Sequence, residues 1–181
     1  DSEHWLEQRF SATDRALLTT SCTHALEASA ILMSLQPGDE VIVPSFTFVT
    51  SALAFKMHGA TIKFCDIRPD TLNIDEKLLE AQVTDRTRAI VGVHYAGVAC
   101  ELDSILRIAQ KYNLFLIEDN AHGIFGKYKG KELGTFGDFS TLSFHETKNI
   151  SCGEGGALLV NNREFSEKAE IVIEKGTDRA K

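Results

Sequence analysis

At 181 residues, 43% hydrophobic and 25% charged, the chain is long enough for one substantial core and has the composition of an ordinary globular domain. Its net charge of −7, from 19 basic against 26 acidic residues, excludes a general nucleic-acid binder, which needs clustered Lys and Arg, but leaves room for a phosphorylated small ligand. No apolar run of about 18 residues occurs, and the first residues lack the basic start and apolar core of a signal peptide, so neither a membrane span nor an export signal is visible and a cytoplasmic location follows by default. Cys22, Cys65, Cys100 and Cys152 stand apart, without CxxC or zinc-like spacing, so disulfides and a metal site are not expected.

The chain begins without methionine inside a helical pattern (Glu3, His4, Trp5, Leu6, Phe10) and ends at Asp178-Arg179-Ala180-Lys181 soon after another helix; we read it as a segment of a longer protein. Ala16 to Thr20 is a short apolar strand leading into Ser21-Cys22-Thr23-His24, with helical spacing from Ala25 to Leu35. A strand feeding a hydroxyl-rich turn at a helix start is anion-site geometry, because free N–H groups and the helix dipole point at the turn. Thr23 and His24 are the candidate phosphate contacts, the alternative being that Ser21 or Thr23 is an ordinary N-cap.

Gln36-Pro37-Gly38-Asp39 is a turn, and Glu40 to Pro44 a strand closed by proline. Ser45 to Phe48 then opens a helix running to about His58, which Gly59 stops. Phe48, just beyond a strand's carboxyl end, is placed either to stack on a planar ligand or to pack in the core. Thr61 to Cys65 is the next strand, Asp75 caps a helix over Glu76 to Gln82, and Arg88 to His94 reads as a buried strand. Glu101 to Tyr112 has clear 3.6-residue periodicity, and Leu114 to Asp119 follows as a strand. Strands alternating with helices at such short intervals predict a mostly parallel sheet covered on both faces, in one domain.

Asp119 ends an apolar strand, which delivers a carboxylate to the sheet's ligand edge, where it needs a cationic partner. A protonated pyridine nitrogen is one such partner; a helix cap and a metal ligand are the alternatives, the latter without a companion cluster at metal spacing. His122 lies three residues on, placed to bond a ligand or to buttress Asp119. Strand-like runs from Asp138 to Phe144 and Ala157 to Val160 flank Ser143-Phe144-His145-Glu146-Thr147-Lys148-Asn149 and Gly153-Glu154-Gly155-Gly156. A loop lysine with Ser143 five residues before it and a glycine-rich turn behind suits a Schiff-base amine beside a phosphate-binding hydroxyl, although most lysines are solvated surface residues.

In this order Ser21-Cys22-Thr23, Pro37 to Phe48, Glu118-Asp119, Ser143 to Asn149 and Gly153 to Ala157 resemble the DegT/DnrJ/EryC1/StrS sugar aminotransferases across nearly the whole chain. The resemblance implies an α/β, three-layer large domain of the aspartate-aminotransferase type (pyridoxal-phosphate fold type I), with the small C-terminal domain outside the 181 residues. It implies pyridoxal phosphate as cofactor, Lys148 as catalytic Schiff-base residue, Asp119 on the ring nitrogen and Phe48 over one ring face. Thr23, His24 and Ser143 would hold the phosphate, with His122 near the ring oxygen. His24 and His122 depart from the small residue and the glutamine usual at those places. The implied reaction passes an amine from L-glutamate to C4 of a nucleotide-linked 4-keto-6-deoxy sugar in a homodimer. His94 to Glu101 and the Phe-His-Glu-Thr-Lys-Asn form look closest to members using a dTDP-sugar. A sugar dehydratase of the same family, with histidine in the lysine's place, and a non-catalytic sensor are the rivals; Lys148 disfavours the first.

Overall fold

The computed structural model describes residues 1–178, so the last three residues of the 1–181 unit lie outside the described part. A helix α1 (Ser2–Arg9) precedes β1 (Arg15–Thr19), α2 (Cys22–Leu32), β2 (Glu40–Pro44), α3 (Thr50–Met57) and β3 (Thr61–Cys65). Then come α4 (Glu76–Gln82), β4 (Thr87–Val93), α5 (Leu102–Tyr112), β5 (Phe115–Asp119), the two-residue strands β6 (Lys127–Tyr128) and β7 (Lys131–Glu132), β8 (Phe139–Ser143), β9 (Gly156–Val160) and α6 (Ser166–Ile173). Seven strands form one sheet in the order β1-β9-β8-β5-β4-β2-β3. The pairs from β8 to β3 are parallel, and β9 pairs antiparallel with both β1 and β8.

The uninterrupted apolar strands follow from coverage on both faces. Period-two alternation sends Val41, Val43, Ala89, Val91 and Ile117 into one core cluster with Ala25, Leu26 and Phe55 of α2 and α3. The residues between them, Ile42, Ile90 and Leu116, enter a second cluster with Leu102, Ile105 and Ile108 of α5. A third, smaller cluster seats α1 through Leu6, with Phe10 just beyond it, on Leu142, Ala157 and Leu159. Local signals agree with this packing: Asp75 caps α4 by accepting from Lys77 N–H at 3.0 Å, and Asn113 ends α5 in the left-handed region with φ 53°.

Three departures from the sequence reading have physical causes. Residues 45–49 do not begin a helix; they cross the sheet's edge, where Ser45 N–H bonds Cys65 O and the Phe46 ring packs on Tyr95, and α3 starts only at Thr50. The segment from 127 to 132, too short and polar to signal, folds back as the β6–β7 hairpin. The reversed direction of β9 follows from the connection after β8, which is a hairpin and not a crossover. Among the described residues no helix is long and apolar enough to cross a membrane.

Candidate active site

The carboxyl ends of β1, β4, β5 and β8 lie along one edge of the sheet, where open α/β sheets bind ligands. A cavity of about 680 Å³ opens there, within the usual small-molecule range. Thr23, Phe48, Asp119, His122, Ser143 and Lys148 all line it, although they span 126 positions of sequence.

Asp119 sits at the end of β5, only 5% exposed. Its Oδ2 accepts from Ser51 Oγ at 2.6 Å and its Oδ1 from Ala121 N–H at 3.2 Å. Thr47 Oγ1 lies 2.8 Å from Ser51 Oγ, so the loop carrying Phe48 and the start of α3 are tied to this carboxylate. Among the described residues no cation lies within ion-pairing distance of Asp119, and a buried carboxylate in that position calls for one from the cavity.

Lys148 reaches the same cavity because β8 and β9 continue past their ends as an irregular hairpin. Phe144 N–H bonds Gly155 O at 2.8 Å, Glu146 N–H bonds Gly153 O at 3.0 Å, and Lys148 N–H closes back on His145 O at 2.9 Å. Gly153, at φ 88°, makes the return turn. Ser143, the last residue of β8, is paired in register with Gly156, and that glycine cannot be replaced: an added Cβ would stand 2.5 Å from Cys22 N. The bare strand therefore lets the start of α2 press against β9.

At that helix start Ser21 is the N-cap, its hydroxyl accepting from His24 N–H at 3.2 Å. Ser21, Cys22 and Thr23 line the cavity, and the Cys22 and Thr23 amides have no acceptor among the described residues. His24 stands apart from these. Its N–H is taken by the cap, its ring bonds Thr20 Oγ1, and it does not line the cavity. Burial, and then the nearby Asp119 charge, push the Cys22 thiol up, so it stays protonated beside the helix start.

Phe48 is 72% exposed at the cavity's lip, an aromatic side chain without a core to pack in. Across from it Phe46, Tyr95 and His122 form a ladder of rings, with centroids 4.9 Å and 5.6 Å apart. His122 Nδ1 accepts from Ala96 N–H at 3.2 Å. Burial, and then the positive charge of Lys148, push the His122 pKa below its ordinary value, with Asp119 opposing. Sequence reasoning missed Cys22, Ser51 and Tyr95 as lining or supporting residues, because what they line or support forms only in the folded chain.

The residues present fit pyridoxal phosphate: an unpaired buried carboxylate for a ring nitrogen, free amides and hydroxyls at a helix start for a phosphate, and an amine within the same cavity. The seven-stranded, mostly parallel sheet, layered by helices and carrying this constellation, has the fold of the fold-type-I pyridoxal-phosphate aminotransferases. The chain belongs to the DegT/DnrJ/EryC1/StrS aminotransferase family, whose model matches residues 5–181. It is 41% identical over 171 residues to the spore coat polysaccharide biosynthesis protein SpsC of Bacillus subtilis, covering 94% of this chain and 44% of that protein. It is 39% identical to GDP-perosamine synthase of Caulobacter vibrioides, covering 93% of this chain and 46% of the relative. Among solved structures, DesV of S. venezuelae in complex with a ketimine intermediate superposes with a TM-score of 0.90 at 33% identity, over 97% of this chain and 47% of that one. The chain thus spans less than half the length of these relatives. Pyridoxal phosphate is the cofactor of the family.

Proposed function

We propose that the whole protein is a pyridoxal-phosphate-dependent aminotransferase that moves an amino group from L-glutamate to C4 of a nucleotide-linked 4-keto-6-deoxy sugar. The observation that carries this reading is the meeting of Lys148, the unpaired Asp119 and the free start of α2 in one cavity. When bound, pyridoxal phosphate supplies an aldehyde that condenses with amines and a ring that accepts electron density. Lys148 Nζ is the amine that attaches the cofactor and, once displaced, moves the proton at the reacting carbon. Asp119, oriented by Ser51, keeps a proton on the ring nitrogen. The amides of Cys22 and Thr23, with the Thr23 and Ser143 hydroxyls, hold the phosphate, and Phe48 covers one ring face from the lip. His122 serves the ring oxygen. His24 has no part, since its N–H is already used by Ser21.

A dTDP-linked sugar is the finer reading, supported by the resemblance of His94 to Glu101 and of the lysine loop; the GDP-perosamine synthase relative keeps the nucleotide as the point to measure. The sugar-selecting contacts in this reading come from the part of the protein beyond the length this chain spans, which makes these 181 residues the cofactor-binding domain. A homodimer is also proposed, supported by the exposed apolar stripe of Leu53 and Met57 on α3 with its N-cap Val49, and by the exposed Phe64 of β3. Four free cysteines agree with a cytoplasmic setting.

The test is covalent. Full-length protein loaded with pyridoxal phosphate and reduced with borohydride should carry the cofactor's mass on the Lys148 peptide, and Lys148→Ala should carry none. Retention of a stable adduct in Lys148→Ala would remove the basis of the proposal.

A further inference from the structure

We propose that Glu118 and His94 are positioning residues that hold His122 as a single tautomer, with its proton on Nε2 and presented to the cavity as a hydrogen-bond donor. The proposal rests on the reading of the cavity as the pyridoxal phosphate site, and it concerns residues that touch no ligand themselves.

Glu118 and His94 are both fully buried, immediately behind the cavity floor. Glu118 Oε1 accepts from Phe136 N–H at 2.7 Å and Gly137 N–H at 2.8 Å, and Oε2 from Gly134 N–H at 2.8 Å. Its remaining partner is His94 Nε2 at 2.9 Å. With donors on every side, the carboxylate is the ionised acceptor: burial alone would raise its pKa, but His94 and the amides of Gly137 and Gly134 hold it below the ordinary range.

His94 is clamped at both nitrogens. While Nε2 faces Glu118, Nδ1 accepts from Cys100 N–H at 3.2 Å. Burial opposes a charge on this ring, while the Cys100 thiol and Glu118 favour one and push its pKa up. The amide aimed at Nδ1 decides for the neutral ring, because an imidazolium has no acceptor nitrogen.

From this clamp the backbone leads directly to the cavity. His94 N–H bonds Asp119 O at 3.1 Å, and His94 O receives Gly97 N–H at 3.0 Å, closing the turn over residues 95–97. Ala96 and Gly97 sit in the left-handed region, at φ 52° and 82°, a shape that aims Ala96 N–H at His122 Nδ1. A ring that must accept on Nδ1 carries its proton on Nε2, and that nitrogen has no partner among the described residues. A donor there suits an anionic ring oxygen, whereas the other tautomer would set two donors against each other at Ala96.

The experiment reads the tautomer of cofactor-free full-length protein by long-range proton–nitrogen NMR of the labelled histidines near neutral pH, with His122→Gln giving the assignment. The expected wild-type result is an unprotonated Nδ1 and a protonated Nε2 at His122. His94→Leu should lose this single-tautomer signature, while His94→Gln, whose amide offers one donor and one acceptor, should restore it. If His94→Leu does not fold, Gly97→Ala takes its place: the φ of 82° opposes the substitution and the added Cβ would stand 3.2 Å from His122 O, so the same loss is expected. A wild-type His122 protonated on Nδ1 or on both nitrogens overturns the proposal, as does an unchanged signature in the folded variant. Failure of the wild type to bind pyridoxal phosphate would instead overturn the functional reading, while the tautomer still decides this one.

Discussion

At the scale of single residues, the candidate site depends on how the Asp119 carboxylate is aimed, with no cation within ion-pairing distance among the described residues. Ser51 does this for Asp119 through a 2.6 Å hydrogen bond, itself linked to Thr47. A hydrogen bond to a charged acceptor contributes about 1.5–3 kcal/mol. Removing the hydroxyl therefore leaves Asp119 Oδ2 without the bond that turns the carboxylate. Ser51→Ala in the full-length protein should weaken pyridoxal phosphate binding about tenfold or more, read by fluorescence titration, and Ser51→Thr should retain most of the affinity. Equal affinity in Ser51→Ala would show that Asp119 is held by its strand alone.

The elements behind the site carry a different kind of constraint. Glu118 gathers three amides of the turn at residues 134–137 onto β5, and through His94 it joins β4 to the same point. Replacing one partner of such a buried set costs about 3–5 kcal/mol. Glu118→Gln should show a loss of this order in chemical denaturation, because its NH₂ group would face backbone donors. The pH arm follows from the lowered folded pKa of Glu118. Below its ordinary value of 4.5 the unfolded chain takes up the proton first, so the stabilisation present above that pH is lost as pH falls toward the folded value. Wild-type stability should thus fall more steeply than that of Glu118→Gln below about pH 4.5; parallel curves would show the carboxylate is not the ionised acceptor.

At the scale of the whole molecule, the sheet is buried on both faces, yet Leu53 and Met57 of α3 and its N-cap Val49 are exposed at spacings of four residues, on one side of the helix. Apolar surface of this kind is ordinarily covered. The lip that carries Phe48 leads into it, so the proposed homodimer would form beside the cavity. Leu53→Glu should convert the full-length dimer to monomer in light scattering without unfolding it. A dimer of unchanged mass and stability would place the interface elsewhere.

Most of the architecture was legible in the sequence because local chemistry and global packing agree there. Thr61–Cys65, Glu40–Pro44 and the Asp75-capped α4 stand where periodicity and capping put them, and a sheet covered on both faces needs the apolar runs that were read. The candidate site residues were also readable as residue types, since Asp119 and Ser143 each end a strand and Lys148 lies on the connection that follows β8. Sequence alone did not decide which of them meet. The hairpin beyond β8 and β9 brings Lys148 into the cavity of Asp119, the N-cap bond of Ser21 withdraws His24, and the crossing of residues 45–49 over the sheet edge sets Phe48 at the lip before α3 begins. The role of the buried Glu118 could not be read for the same reason: its four partners lie 16 to 24 residues away, and only the closed sheet brings their donors to one carboxylate.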